Sequence, residues 1–183
     1  MRTIVTPFSG PSVETVNLAR EPRVYTYAGG VLASERELVL CFLDDLRAAE
    51  SAGADVLERW AAVSRDPLVR GGLRVLAARE ARHGKVLARR LQALGGESRA
   101  TLSPALQEAA LAWVGSPMRG DLEKLRGLLL HHADIDTMLR PQRLVVAQLI
   151  EDHETVALLR GILDEDVVTL EWLARTARRL AHR

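Results

Sequence analysis

The sequence predicts an all-α fold, a bundle of four long helices arranged as two antiparallel hairpins joined by a long crossover. Three observations lead there. From Ala33 onward Leu, Ala, Arg and Glu dominate, with apolar residues recurring every three or four positions. Stop and start signals divide this region into four segments of roughly thirty residues, each about 45 Å long as a helix. Shifting the first hairpin by 86 positions lays it on the second: Leu43 falls on Leu129, Glu50 on Asp136, Asp66 on Asp152, Glu80 on Asp166 and Leu87 on Leu173. The hairpins read as divergent copies of one unit.

Residues 1–32 carry Pro7, Pro11, Pro22 and Gly29-Gly30 without a sustained period, and are expected to form an arm, with a short extended piece around Val24–Tyr27. Helix A is expected over 34–64, opened by Ser34 with Glu37 three residues on as a capping box. Asp66-Pro67 opens helix B, 66–94, which the Gly95-Gly96 pair stops. A crossover, 95–119, holds a short helix begun by Ser103-Pro104. Helix C is expected over 120–150 with Pro141 as a kink, and helix D over 152–182. The short A–B and C–D connections and the long B–C one specify the two hairpins.

Composition excludes several classes of function. The chain is 48% hydrophobic and 27% charged, as ordinary globular domains are, and its 4% aromatic content predicts an aliphatic core. Twenty-five basic residues are balanced by 24 acidic ones, with Lys85 and Lys124 the only lysines. The arginines lie among acids on helical stretches, so no nucleic-acid partner is expected. No apolar run approaches the roughly eighteen residues of a membrane span, and no signal-peptide pattern opens the chain. The lone Cys41 fits a reducing compartment, so a cytoplasmic protein without a membrane partner is expected. A homo-oligomer and a small-molecule substrate remain open.

The informative residues are polar ones inside apolar stripes. Helix A reads Val39, Leu43, Leu46, Glu50, Gly53, Leu57, Trp60, and helix B reads Val69, Leu73, Leu76, Glu80, His83, Leu87. Helix C places His132 and Asp136 between Leu129 and Leu139, and helix D places Asp166 and Thr169 between Ile162 and Leu173. The interruptions share one height, so Glu50, Glu80, Asp136 and Asp166 converge with His83 and His132. Unpaired carboxylates in such an interior cost several kcal/mol each. Two divalent cations would neutralise them, and oxygen plus imidazole donors suit iron, manganese or zinc.

Glu50, the Glu80-Ala-Arg-His83 motif and the segment ILDEDVVTLEWL together resemble the ferritin-like superfamily of bacterioferritins and rubrerythrins, over roughly 33–182. The resemblance implies a ferritin-like four-helix bundle in which each hairpin supplies one Glu and one Glu-x-x-His to a diiron centre that reacts with oxygen or peroxide. On that expectation Glu50 and His83 are terminal ligands, Glu80 and Asp166 bridge, and Asp136 with His132 completes the second metal. The chain departs from the pattern in its second half. Asp136 stands where the family has Glu, Asp166 where it has the Glu of the motif, and Thr169 where it has His. His132 is expected to replace the missing helix-D imidazole.

Blander readings stand beside these. Glu50, Glu80 and His83 also fit a hydrogen-bonded trio held by Arg47 or Arg79, and Arg143, two turns along the helix C stripe, also fits an ion pair with one of the second-half acids. Glu165 is the register alternative to Asp166. If the second half-site has decayed, the metals are absent and the chain is a non-catalytic binding or assembly module.

Overall fold

The computed structural model describes residues 23–129 and 134–182. Its first element is a hairpin of β1 (Tyr25–Tyr27) and β2 (Gly30–Leu32), antiparallel with Tyr25 opposite Leu32. Both turn residues have positive φ, Ala28 at 50° and Gly29 at 81°. That is the twist a two-residue hairpin turn requires, and Gly29 adopts it without steric cost. The hairpin is anchored by buried Tyr25, by the Tyr27 hydroxyl donating to Asp45 at 2.9 Å, and by Gln148, whose amide pairs with the N–H and C=O of Thr26. Residues 1–22 of the expected arm lie outside the described residues.

The rest is helical. α1 (Glu35–Val63) starts where the capping box places it: Ser34 Oγ accepts from the N–H of Glu37, whose own carboxylate accepts from the N–H of Ala33. α2 (Pro67–Ala93) is capped by Asp66, which accepts from the N–H groups of Leu68 and Val69. It ends in a Schellman turn, with Gly95 at φ 75° and Gly96 N–H bonded to the carbonyl of Leu91. α3 (Pro104–Gly115) lies in the crossover, and α6 (His153–Ala181) is capped by Asp152.

Helix C departs from expectation. In place of one helix over 120–150 the structure has α4 (Asp121–Leu129) and α5 (Ile135–Gln148). Asp134 is extended, φ −158° and ψ 169°, and its carboxylate accepts from the N–H of Thr137 at 2.6 Å, so a new helix starts there. Pro141, the expected kink, lies inside α5. The 86-residue correspondence therefore holds for the paired caps Asp66 and Asp152 and fails locally at the break.

Cross-helix contacts define the packing. Arg36 donates to the carbonyl of Leu94, Glu50 meets His83, and a Cβ on Gly53 would touch Glu80, so α1 and α2 run antiparallel. α2 and α6 also run antiparallel, through Asp66 with Arg179, His83 with Glu165, and Arg90 with Asp152. α3 lies on α1, and α4 and α5 lie on α6. Buried Glu35 ties the α5–α6 junction to α1 by accepting from the N–H groups of Ile150, Glu151 and Asp152. Burial pushes its carboxyl up, but these bonds outweigh that and hold it below the usual range. The core is aliphatic, led by fully buried Leu38, Leu43, Leu73, Leu87, Leu125 and Leu159. Among the described residues no helix is long and apolar enough to cross a membrane.

Trp172 of α6 packs onto α2 at Gly72, where a Cβ would stand 1.9 Å from its Cζ2. Gly72→Ala is expected to destabilise the protein by about 2 kcal/mol, because overpacking outweighs the gain in helix propensity. Urea titration checks this, and adding Trp172→Leu should restore most of the loss. An unchanged midpoint in the single variant would show that the indole moves aside freely.

Candidate metal centre

α1, α2 and α6 each deliver an acid to one place near mid-length. Glu50 is buried on α1, His83 is buried on α2 with 1% of its surface exposed, and Asp166 approaches from α6. One donor atom from each of the three lies within 4.8 Å of the other two. His83 Nδ1 is 3.1 Å from a Glu50 oxygen and 3.8 Å from an Asp166 oxygen. Its Nε2 is 3.0 Å from Glu165, which also pairs with Arg82. Glu80, one turn before His83, hydrogen-bonds the Glu50 carboxyl.

Close packing makes this possible. Gly53 leaves room for the Glu80 carboxyl, since a Cβ there would come within 3.0 Å of Oε2. Gly84 does the same where α2 meets α1, because its Cβ would clash at 2.8 Å with Ser51 Oγ. Bulkier residues at either position would push α1 from α2 and separate Glu50 from His83.

Electrostatically, the acids are short of positive charge. Burial first, then the charge of Asp166, pushes the Glu50 carboxyl up to about 7. Burial and Glu50 push Glu80 up to about 8, and burial and Glu80 push Asp166 up to about 6. Among the described residues no Arg or Lys comes within ion-pair distance of these three. Arg79 draws all three down through space, yet its Nε is buried without a hydrogen-bond partner. Arg47, the other cation considered for this role, pairs with Asp44 at 2.7 Å and bonds the carbonyl of Ala100 instead.

The expected ligands therefore divide. Glu50, Glu80, His83 and Asp166 come together. Asp136 does not: its side chain is 82% exposed and pairs with Arg143 at 2.5 Å. The expectation that it joins the cluster is corrected, because the break at Asp134 puts Asp136 in the first turn of a separate helix. His132 lies outside the described residues. Thr169 is buried, with its hydroxyl donating to the carbonyl of Glu165. Glu165, weighed only as an alternative to Asp166, contributes alongside it. The signal was the adjacent pair Glu165-Asp166, whose side chains reach the same imidazole from its two nitrogens.

Comparison of the chain with family models, with curated proteins and with solved structures finds no match.

Proposed function

We propose that the protein is a ferritin-like, metal-dependent oxidoreductase whose centre is built on Glu50, Glu80, His83 and Asp166. One observation carries this reading: buried Glu50 and half-buried Asp166 converge on the buried His83 imidazole, with half-buried Glu80 beside Glu50 and no Arg or Lys in ion-pair range of the three acids, so their charge is left for a cation to balance. The donor set, carboxylate oxygens with one imidazole nitrogen, fits iron or manganese. Glu50, Asp166 and His83 Nδ1 would hold one ion, with Glu80 beside Glu50 as a further donor. Bound iron would supply electron transfer to dioxygen or peroxide.

The chain's own residues prepare the site. Glu165 lies 3.0 Å from His83 Nε2, so in the tautomer that carries its proton there Glu165 accepts it and Nδ1 presents its lone pair toward Glu50 and Asp166, as a metal would require. Arg82 holds the Glu165 carboxylate ionised for that task. The helix walls keep bulk water from His83 and Glu50. In the proposed ferritin-like arrangement α1, α2 and α6 stand as the first, second and fourth helices, and α4 with α5 as the third.

Elemental analysis after anaerobic Fe(II) loading tests this reading. At least one tightly held ion per chain is expected, with dioxygen uptake when air is admitted. Asp136→Ala should load as the wild type does. Absence of metal after loading would overturn the proposal. A second reading, a non-catalytic metal-stabilised bundle, is favoured by the displacement of Asp136 onto Arg143; metal uptake without dioxygen uptake would select it.

A further inference from the structure

A cavity of about 590 Å³ lies beside the carboxylate cluster, enclosed by α1, α2, α3, α4 and α6. Its walls are apolar, chiefly Trp60, Trp113, Leu170 and Leu173, and its volume is in the range that holds a small organic molecule. Trp113 and Leu128 on the lining are partly exposed, so the cavity reaches solvent. Two charged residues line it, Glu80 from the cluster and Lys124 from α4.

Lys124 is the exceptional residue. It is 2% exposed, and among the described residues its ammonium makes no hydrogen bond and no ion pair. Desolvation draws its pKa down, with Asp121 and Glu123 partly opposing through space. A buried lysine is ordinarily paired, and this one lines an open apolar chamber without a partner. Part of its desolvation cost is already met in folding, so an entering anion would gain a charge-assisted hydrogen bond at less cost than on the open surface.

We propose that this cavity binds an apolar monocarboxylic acid, its carboxylate on Lys124 and its hydrocarbon portion against Trp60, Trp113 and the leucines. A single negative charge matches the site. A dianion such as a phosphate monoester would meet three acidic groups, Asp121, Glu123 and Glu80, against two cations, Lys124 and the Arg119 guanidinium stacked on Trp113. Because Glu80 both lines the cavity and belongs to the cluster, the bound acid lies next to the proposed metal centre. Its role as substrate rests on the metal reading, whereas its binding does not.

The test is calorimetric titration of the metal-free full-length protein with decanoate and with decan-1-ol, which share a chain and differ in charge. Decanoate should bind the wild type at least ~10-fold more tightly than decanol, the size of a charge-assisted hydrogen bond. Lys124→Met should abolish that preference while retaining decanol binding, which shows that the chamber is intact. Gly127→Leu, beside Trp113 on the lining, should weaken both ligands. Equal affinity of the wild type for the two, a preference that survives Lys124→Met, or no saturable binding of either overturns the proposal. Metal uptake is measured separately, so failure here leaves the metal reading standing, and failure of metal uptake leaves the binding site standing.

Discussion

Metal-free protein is expected to lose stability as the pH rises from 5 to 8, the reverse of the usual behaviour of a chain whose carboxylates are ion-paired. Glu50, Glu80 and Asp166 carry folded-state values of about 7, 8 and 6 against ordinary values of 4.5, 4.5 and 3.8. Between the ordinary and the raised values the folded chain holds protons that the unfolded chain has released. The contribution is therefore fully present below about pH 4 and is lost as the pH passes through the raised values. Allowing for relaxation and water entry, the loss is on the order of 3 kcal/mol, or about 6–12 °C in melting temperature for a chain of this size. Fe(II) or Mn(II) under anaerobic conditions should cancel it, because a cation favours the ionised carboxylates and its binding releases protons. The stabilisation by metal should accordingly be larger at pH 8 than at pH 6. Differential scanning fluorimetry across this range, with and without metal, reads both effects. A melting temperature that rises steadily from pH 5 to 8 without metal would mean that the acids find cationic partners or solvent.

Glu80 separates folding from metal binding most sharply. Glu80→Ala is expected to abolish metal loading while leaving a folded helical protein, since His83, Glu50 and the surrounding leucines remain in place. Glu80→Gln keeps the shape of the side chain and its capacity to hydrogen-bond Glu50, but removes a raised carboxyl of its own and the charge that helps push Asp166 up. At pH 8 the metal-free Gln variant should melt several degrees above the wild type, by about 1–2 kcal/mol. At pH 5, where the wild-type pair is protonated, the two should melt together. Its metal affinity should fall by ~10-fold or more, because an amide oxygen replaces a carboxylate. A Gln variant that loads metal like the wild type would remove Glu80 from the donor set.

Both predictions depend on features that differ in how far they can be read from sequence. Ser34, Asp66 and Asp152 announce their helices because a cap is a local bond between a side chain and N–H groups two or three residues on. The inward positions of Glu50, Glu80, His83 and Asp166 follow from helical period, which sets each residue's angle around its own helix. The break at Asp134 carried the same local cap signal, Asp134 to Thr137, but an apolar pattern continuing on both sides concealed it. Asp136 accordingly leaves the position that an unbroken helix would give it, since an extended residue resets the phase of the helix that follows.

Period and capping in this sequence determined a helical protein with acids inside its apolar stripes and the ends of α1, α2 and α6. Tertiary structure decided which acids meet, that Glu165 orients the second nitrogen of His83, and that Lys124 is buried on an apolar chamber. The division has a physical cause. The period along one helix fixes the direction of a side chain, while its neighbours, its charge balance and the space before it are set by other helices, whose distance and rotation no local pattern encodes.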